Sequence, residues 1–82
     1  MKQKCVTIQY FAVFREKAQK DLEELTTDAE TAGDFYQELA NKYGFNMGAK
    51  HIRVAINDDF GSMNQKIETG DTLVFIPPVS GG

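Results

Sequence analysis

The chain predicts an α+β fold, with one main helix packed on one face of a mixed sheet of about five strands. Three observations predict it. Short runs rich in β-branched and aromatic residues recur at residues 5–11, 52–57 and 72–76. A single segment, residues 32–44, carries apolar residues at helical spacing. Gly- and Asp-rich turn signals separate the runs, leaving no room for long linkers.

Residues 5–11 read as the first strand, with Val6, Ile8 and Tyr10 on one face. Residues 13–20 are mixed and charged, and read as a loop or a short helical turn. Leu22–Thr27 reads as a second, more exposed strand antiparallel to the first. Thr31 opens the clearest helix, with Asp34 three residues on in place of the usual capping-box Glu or Gln. Phe35, Tyr36, Leu39, Ala40 and Tyr43 form its apolar stripe, and Gly44 ends it. Residues 52–57 alternate as a strand, and Asp58-Asp59-Phe60-Gly61 is a turn signal. Residues 65–68 read as a short strand, Gly70-Asp71 as a tight turn and Thr72–Ile76 as the final strand. Pro77-Pro78 stop that strand, because proline removes ladder donors. The order is β-β-α-β-β-β, and the apolar first and last strands belong at the sheet centre. That arrangement describes a ubiquitin-like β-grasp over residues 1–76, followed by an extended tail at 77–82.

Composition narrows the function. A chain of 82 residues holds one small domain and excludes an enzyme with its own cofactor fold. Nine Lys and Arg against twelve Asp and Glu give a net charge of −3, with the basic residues scattered. That argues against nucleic acid and for a neutral or basic protein partner. One cysteine excludes a disulfide scaffold. No apolar run is long enough to span a membrane, and residues 1–10 lack a secretory signal, so the cytoplasm is the default compartment.

Two features point to chemistry. In the last strand Leu73 and Phe75 face one way, Val74 and Ile76 the other, and both faces are apolar. One helix covers one face, so the other is an interaction surface unless a loop folds over it. The second feature is Pro77-Pro78-Val79-Ser80-Gly81-Gly82. Pro-Pro favours a stiff, extended exit. Two glycines can thread a slot too narrow for any side chain, and they leave the Gly82 carboxylate sterically open. Activation of that carboxylate by ATP and exchange with a sulfur source would give a thiocarboxylate, a good nucleophile at neutral pH.

Residues 70–82, with their Gly-Asp turn, apolar strand and Pro-Pro-Val-Ser-Gly-Gly tail, resemble the C-terminus of the molybdopterin synthase small subunit family. Phe11-Ala12-Val13-Phe14-Arg15-Glu16 and Ala55-Ile56-Asn57 resemble two further family segments. The resemblance implies a β-grasp sulfur carrier without a bound cofactor. Gly82 would be adenylated by a ubiquitin-activating-type adenylyltransferase that uses ATP, then loaded as a 1-thioglycine by a sulfur-donating protein. The tail would enter the synthase large subunit in a heterotetramer of two small and two large subunits. There it would give sulfur to cyclic pyranopterin monophosphate in molybdenum cofactor biosynthesis. The family's apolar partner contacts fall on Phe11, Phe60 and Ile76, where an aromatic is commoner than Ile. Val74 on the exposed strand face and Arg15 complete the candidate interface. A lysine-conjugating modifier, the sulfur carrier of thiazole synthesis and a plain binding domain with inert glycines are the competing readings.

The remaining polar groups read as structural. Cys5 in the first strand reads as a buried small hydrophobe. His51 reads as a surface loop residue, with no Cys or His at metal-ligand spacing. Asp58-Asp59 reads as a solvated turn. Asp21, Glu23, Glu24, Asp28 and Glu30 read as a solvated face that could steer a basic partner. No Ser-His-Asp set, HExxH or phosphate-binding Gly-rich loop is present, so the chain brings no catalytic apparatus of its own.

Overall fold

The computed structural model describes residues 3–78. In chain order the elements are β1 (Lys4–Gln9), α1 (Val13–Ala18), β2 (Leu22–Thr27), α2 (Ala32–Tyr43), a 3-10 turn (Ala49–His51), β3 (Arg53–Ile56), β4 (Asp59–Gly61) and β5 (Thr72–Ile76). The strands form one mixed sheet in the order β2-β1-β5-β3-β4. β5 lies in the middle, parallel to β1 and antiparallel to β3. This is the ubiquitin-like β-grasp, with the first and last strands adjacent at the centre.

Alternation decides which face is buried. Val6 and Ile8 of β1, Val54 and Ile56 of β3, and Leu73 and Phe75 of β5 are all buried beneath α2. Phe35, Tyr36 and Leu39 come down from the helix to meet them. The Tyr36 ring stands edge-on to Phe75 with centroids 5.2 Å apart. Its hydroxyl escapes the core by donating to the Met47 carbonyl at 2.7 Å. The helix starts where Thr31 Oγ1 accepts from the Asp34 amide at 3.1 Å and stops at Gly44, whose φ of 75° suits glycine.

The structure departs from the sequence reading in several places. Residues 13–20 contain a true helix, α1, because Phe14 and Ala18, one turn apart, both insert into the core. Phe14 packs on Phe45 at 4.7 Å, closing one end of the core. The β3–β4 turn sits at Asn57-Asp58, with φ of 54° and 73°, so Asp59–Gly61 is a short strand rather than a turn. Asn and Asp tolerate that left-handed backbone, which matches the twist of a hairpin. Residues 65–68 form no named strand. They make one bridge, Lys66 with Thr31, and drop Ile67 alone into the core. Cys5 is exposed, since it sits on the side of β1 opposite Val6.

Candidate functional site

The tail leaves from the centre of the sheet. β5 ends at Ile76, Pro77 is half-buried and Pro78 is exposed. Both prolines border a cleft with Lys50, His51, Ile52 and Arg53, the segment leading into the neighbouring strand β3. Val79, Ser80, Gly81 and Gly82 lie outside the described residues.

The sheet face away from α2 carries a row that crosses all five strands. Leu22 pairs with Gln9, Gln9 with Val74, Val74 with Ala55, and Ala55 with Phe60. Directly paired residues share a face, so these side chains form one stripe. Its ends are open: Phe60 is 75% exposed and Leu22 56%. Val74 and Ala55 between them are half-buried. Phe11, 54% exposed, and the half-buried Ile76 lie beyond the stripe at the end where the tail departs. Phe60, Val74 and Ile76 thus belong to one side of the sheet, and Phe11 stands exposed in the loop that follows β1. Arg15 is exposed on α1, with its Nε 3.8 Å from Asp21 Oδ1, a loose pair in water. Nothing in the local sequence marks Leu22 and Ala55 as part of this surface. Only the strand order brings them into line.

Glu23 is the residue that the sequence most misrepresents. It faces the helix side of β2, opposite Ile8, rather than belonging to a solvated face. Its Oε1 accepts hydrogen bonds from the hydroxyls of Tyr10 and Tyr43, each at 2.7 Å. Lys20 Nζ lies 3.3 Å and Lys42 Nζ 3.6 Å from its Oε2. Partial burial opposes ionisation, but the bonds from Tyr43, Tyr10 and Lys20 and the charge of Lys42 outweigh it and hold the carboxyl down at about 2. Burial, with the ionised Glu23 beside it, pushes the Tyr10 phenol well above its ordinary range. The cluster pins edge strand β2 to the C-terminal turn of α2. Its folded value lies below the ordinary 4.5, so its stabilisation is complete above that value and lost as pH falls toward 2. Glu23→Gln should therefore cost about 1–3 kcal/mol at pH 7, and much less near pH 2. Urea unfolding of both proteins across that range measures the difference.

Among the described residues, no group of three or more His, Cys, Asp or Glu is placed to hold a metal. No helix there is long and apolar enough to cross a membrane.

Known proteins with this pattern agree with the geometry. The model of the ThiS family matches residues 8–82. The molybdopterin synthase sulfur carrier subunit of Haemophilus influenzae is 30% identical over 80 residues, covering 94% of this chain and 99% of that protein. The crystal structure of small archaeal modifier protein 1 from Haloferax volcanii has a TM-score of 0.74 at 26% identity, covering 95% of this chain and 99% of the other. A complex of subunits 1 and 2 of the molybdopterin-converting factor from Helicobacter pylori contains the same fold, with a TM-score of 0.60 at 24% identity, over 95% of this chain and 99% of the other. With a central β5 and a family match over residues 8–82, the chain belongs to the ThiS family, and over nearly its whole length it is similar to a molybdopterin synthase sulfur carrier subunit.

Proposed function

We propose that this chain is the sulfur-carrying subunit of a molybdopterin synthase. The observation that carries the reading is the Pro-Pro-Val-Ser-Gly-Gly segment directly after β5, in a chain aligned nearly end to end with such a subunit. A carboxylate is a poor electrophile. The Gly82 carboxylate attacks the α-phosphate of ATP in a partner adenylyltransferase and expels pyrophosphate. Hydrosulfide supplied by a donor protein then attacks the adenylate's acyl carbon and displaces AMP, leaving a thiocarboxylate. The loaded tail enters a large subunit and gives up its sulfur to cyclic pyranopterin monophosphate. The Helicobacter pylori complex supports a two-subunit assembly, for which we propose two copies of each chain. Intact mass measurement after incubation with the cognate adenylyltransferase, ATP and sulfur donor tests the chemistry. One oxygen at Gly82 should be replaced by sulfur, and a tail that stays a plain carboxylate throughout overturns the reading.

The outward stripe is the surface for the large subunit, and Phe60 is its most exposed aromatic. Aromatic anchors in such patches carry about 2 kcal/mol or more. Phe60→Asp should weaken binding to the cognate large subunit at least about thirtyfold, read by calorimetry, and leave the melting curve nearly unchanged. The likeness to small archaeal modifier protein 1 favours a second reading, conjugation of Gly82 to lysines. Isopeptide-linked Gly-Gly remnants on other proteins would support it.

A further inference from the structure

The net charge of −3 hides a polarity along the strands. β1 and β5 run parallel toward the tail, and β3 begins at that end. Lys50, His51 and Arg53 therefore stand at the tail end, all exposed, against the cleft that Ile76, Pro77 and Pro78 border. None of the three has an ion-pair partner among the described residues, whereas Lys20 and Lys42 are both held by Glu23. Arg15 and Lys17 of α1 lie at the same end, with Glu16, Asp21 and Asp34, which shares a second cleft with Lys50, as the acidic exceptions among the described residues. Among the described residues, the opposite end carries Asp28, Glu30, Asp58, Asp59, Glu68 and Asp71, offset only by Lys4 and Lys66. The length of β5 separates the two ends by roughly 16 Å. That exceeds the screening length of about 8–10 Å at physiological salt. A partner meeting the tail thus feels the local positive charge and not the molecule's net negative charge.

We propose that the tail end docks on a protein whose tail-receiving opening is rimmed by Asp and Glu carboxylates, with Lys50 and Arg53 meeting that rim. The proposal rests on the carrier reading for the partner's role and adds the chemistry of the partner's surface. It reverses the expectation from net charge, which favours a neutral or basic partner. The basic cluster flanks the root of the tail, so it acts while the tail is still outside its channel. It orients the chain with the far acidic end pointing away, a contribution to association rate more than to final affinity.

Stopped-flow association of the full chain with the cognate adenylyltransferase tests this. Lys50→Glu with Arg53→Glu should slow association about tenfold or more at low ionic strength, with the two rates converging in high salt. A rate within twofold of the unsubstituted chain, or a faster one, overturns the proposal. Glu30→Lys at the far end should leave the rate equal or higher, and a slower rate also overturns it. Both reversed positions are exposed, and Lys50→Glu alone, on the 3-10 turn, gives the same sign if the double variant folds poorly. Pyrophosphate release by the unsubstituted chain reads the carrier function separately. If none appears, the carrier reading fails and the surface is judged by titrating hexaglutamate into the labelled chain. Amide shifts centred on residues 50–53 and 76–78 then support the acidic occupant, and shifts elsewhere or none overturn it.

Discussion

Removing Gly81 and Gly82 is expected to abolish sulfur transfer in a reconstituted synthase while leaving the melting temperature within a degree or two. Two residues of extended chain span roughly 7 Å. The new terminus, Ser80, would stop that far short of the reacting position and would carry a side chain into a slot suited to glycine. Misplacing a reacting atom by even 1 Å can cost about a hundredfold, so no measurable transfer should survive. The fold should not notice, because the buried side chains nearest the tail, Leu73 and Phe75, precede Pro77. Pyrophosphate release with the cognate adenylyltransferase and product formation with the large subunit give the readouts. A truncated chain that still delivers sulfur would mean that Gly82 is not the carrier atom's attachment point.

Phe75→Ala is expected to cost about 3–5 kcal/mol, the range for deleting a buried aromatic ring. Phe75 is 2% exposed on the central strand, and its ring meets both Tyr36 and Phe35 from α2. A domain this small loses roughly 4–8 °C of melting temperature per kcal/mol. A fall of about 15 °C or more is therefore expected, and the variant should be only marginally folded at 37 °C. Val74→Ala, one residue away on the outward face, should cost about 1 kcal/mol or less, because its side chain is only half-buried. Denaturant unfolding of the pair shows which face of β5 is core. Equal losses would mean that both faces are packed in the isolated chain and that the outward stripe is not a free surface.

Much of the fold is legible in local pattern. Val6, Ile8 and Tyr10 repeat every second residue, and their strand buries that face. Thr31 and Gly44 mark the ends of α2 because capping is a local hydrogen-bonding matter. The Ala32–Tyr43 stripe buries Phe35, Tyr36 and Leu39. What is local and weak goes astray. α1 has only two inward side chains, too few to show a helical period, and Ile67 is buried without a strand around it. Asp58 and Asp59 both favour turns, and the register that puts one in the turn and the other in β4 comes from pairing with Ile56. Cys5 reads as buried by residue type, but the alternation of β1 assigns it to the outer face.

The sequence by itself determined the fold class, the caps of the main helix, the inward face of the central strands and the Pro-Pro-Val-Ser-Gly-Gly run after the last strand. Each of these depends on residues within a few positions of one another. The tertiary structure alone decided the rest. It aligned Leu22, Val74, Ala55 and Phe60 across the sheet, gathered two tyrosines and two lysines around Glu23, and separated basic from acidic charge along the strands. Those groupings join residues from different elements. They exist only once strand order and register are set, which happens when the whole sheet buries one face against the helix.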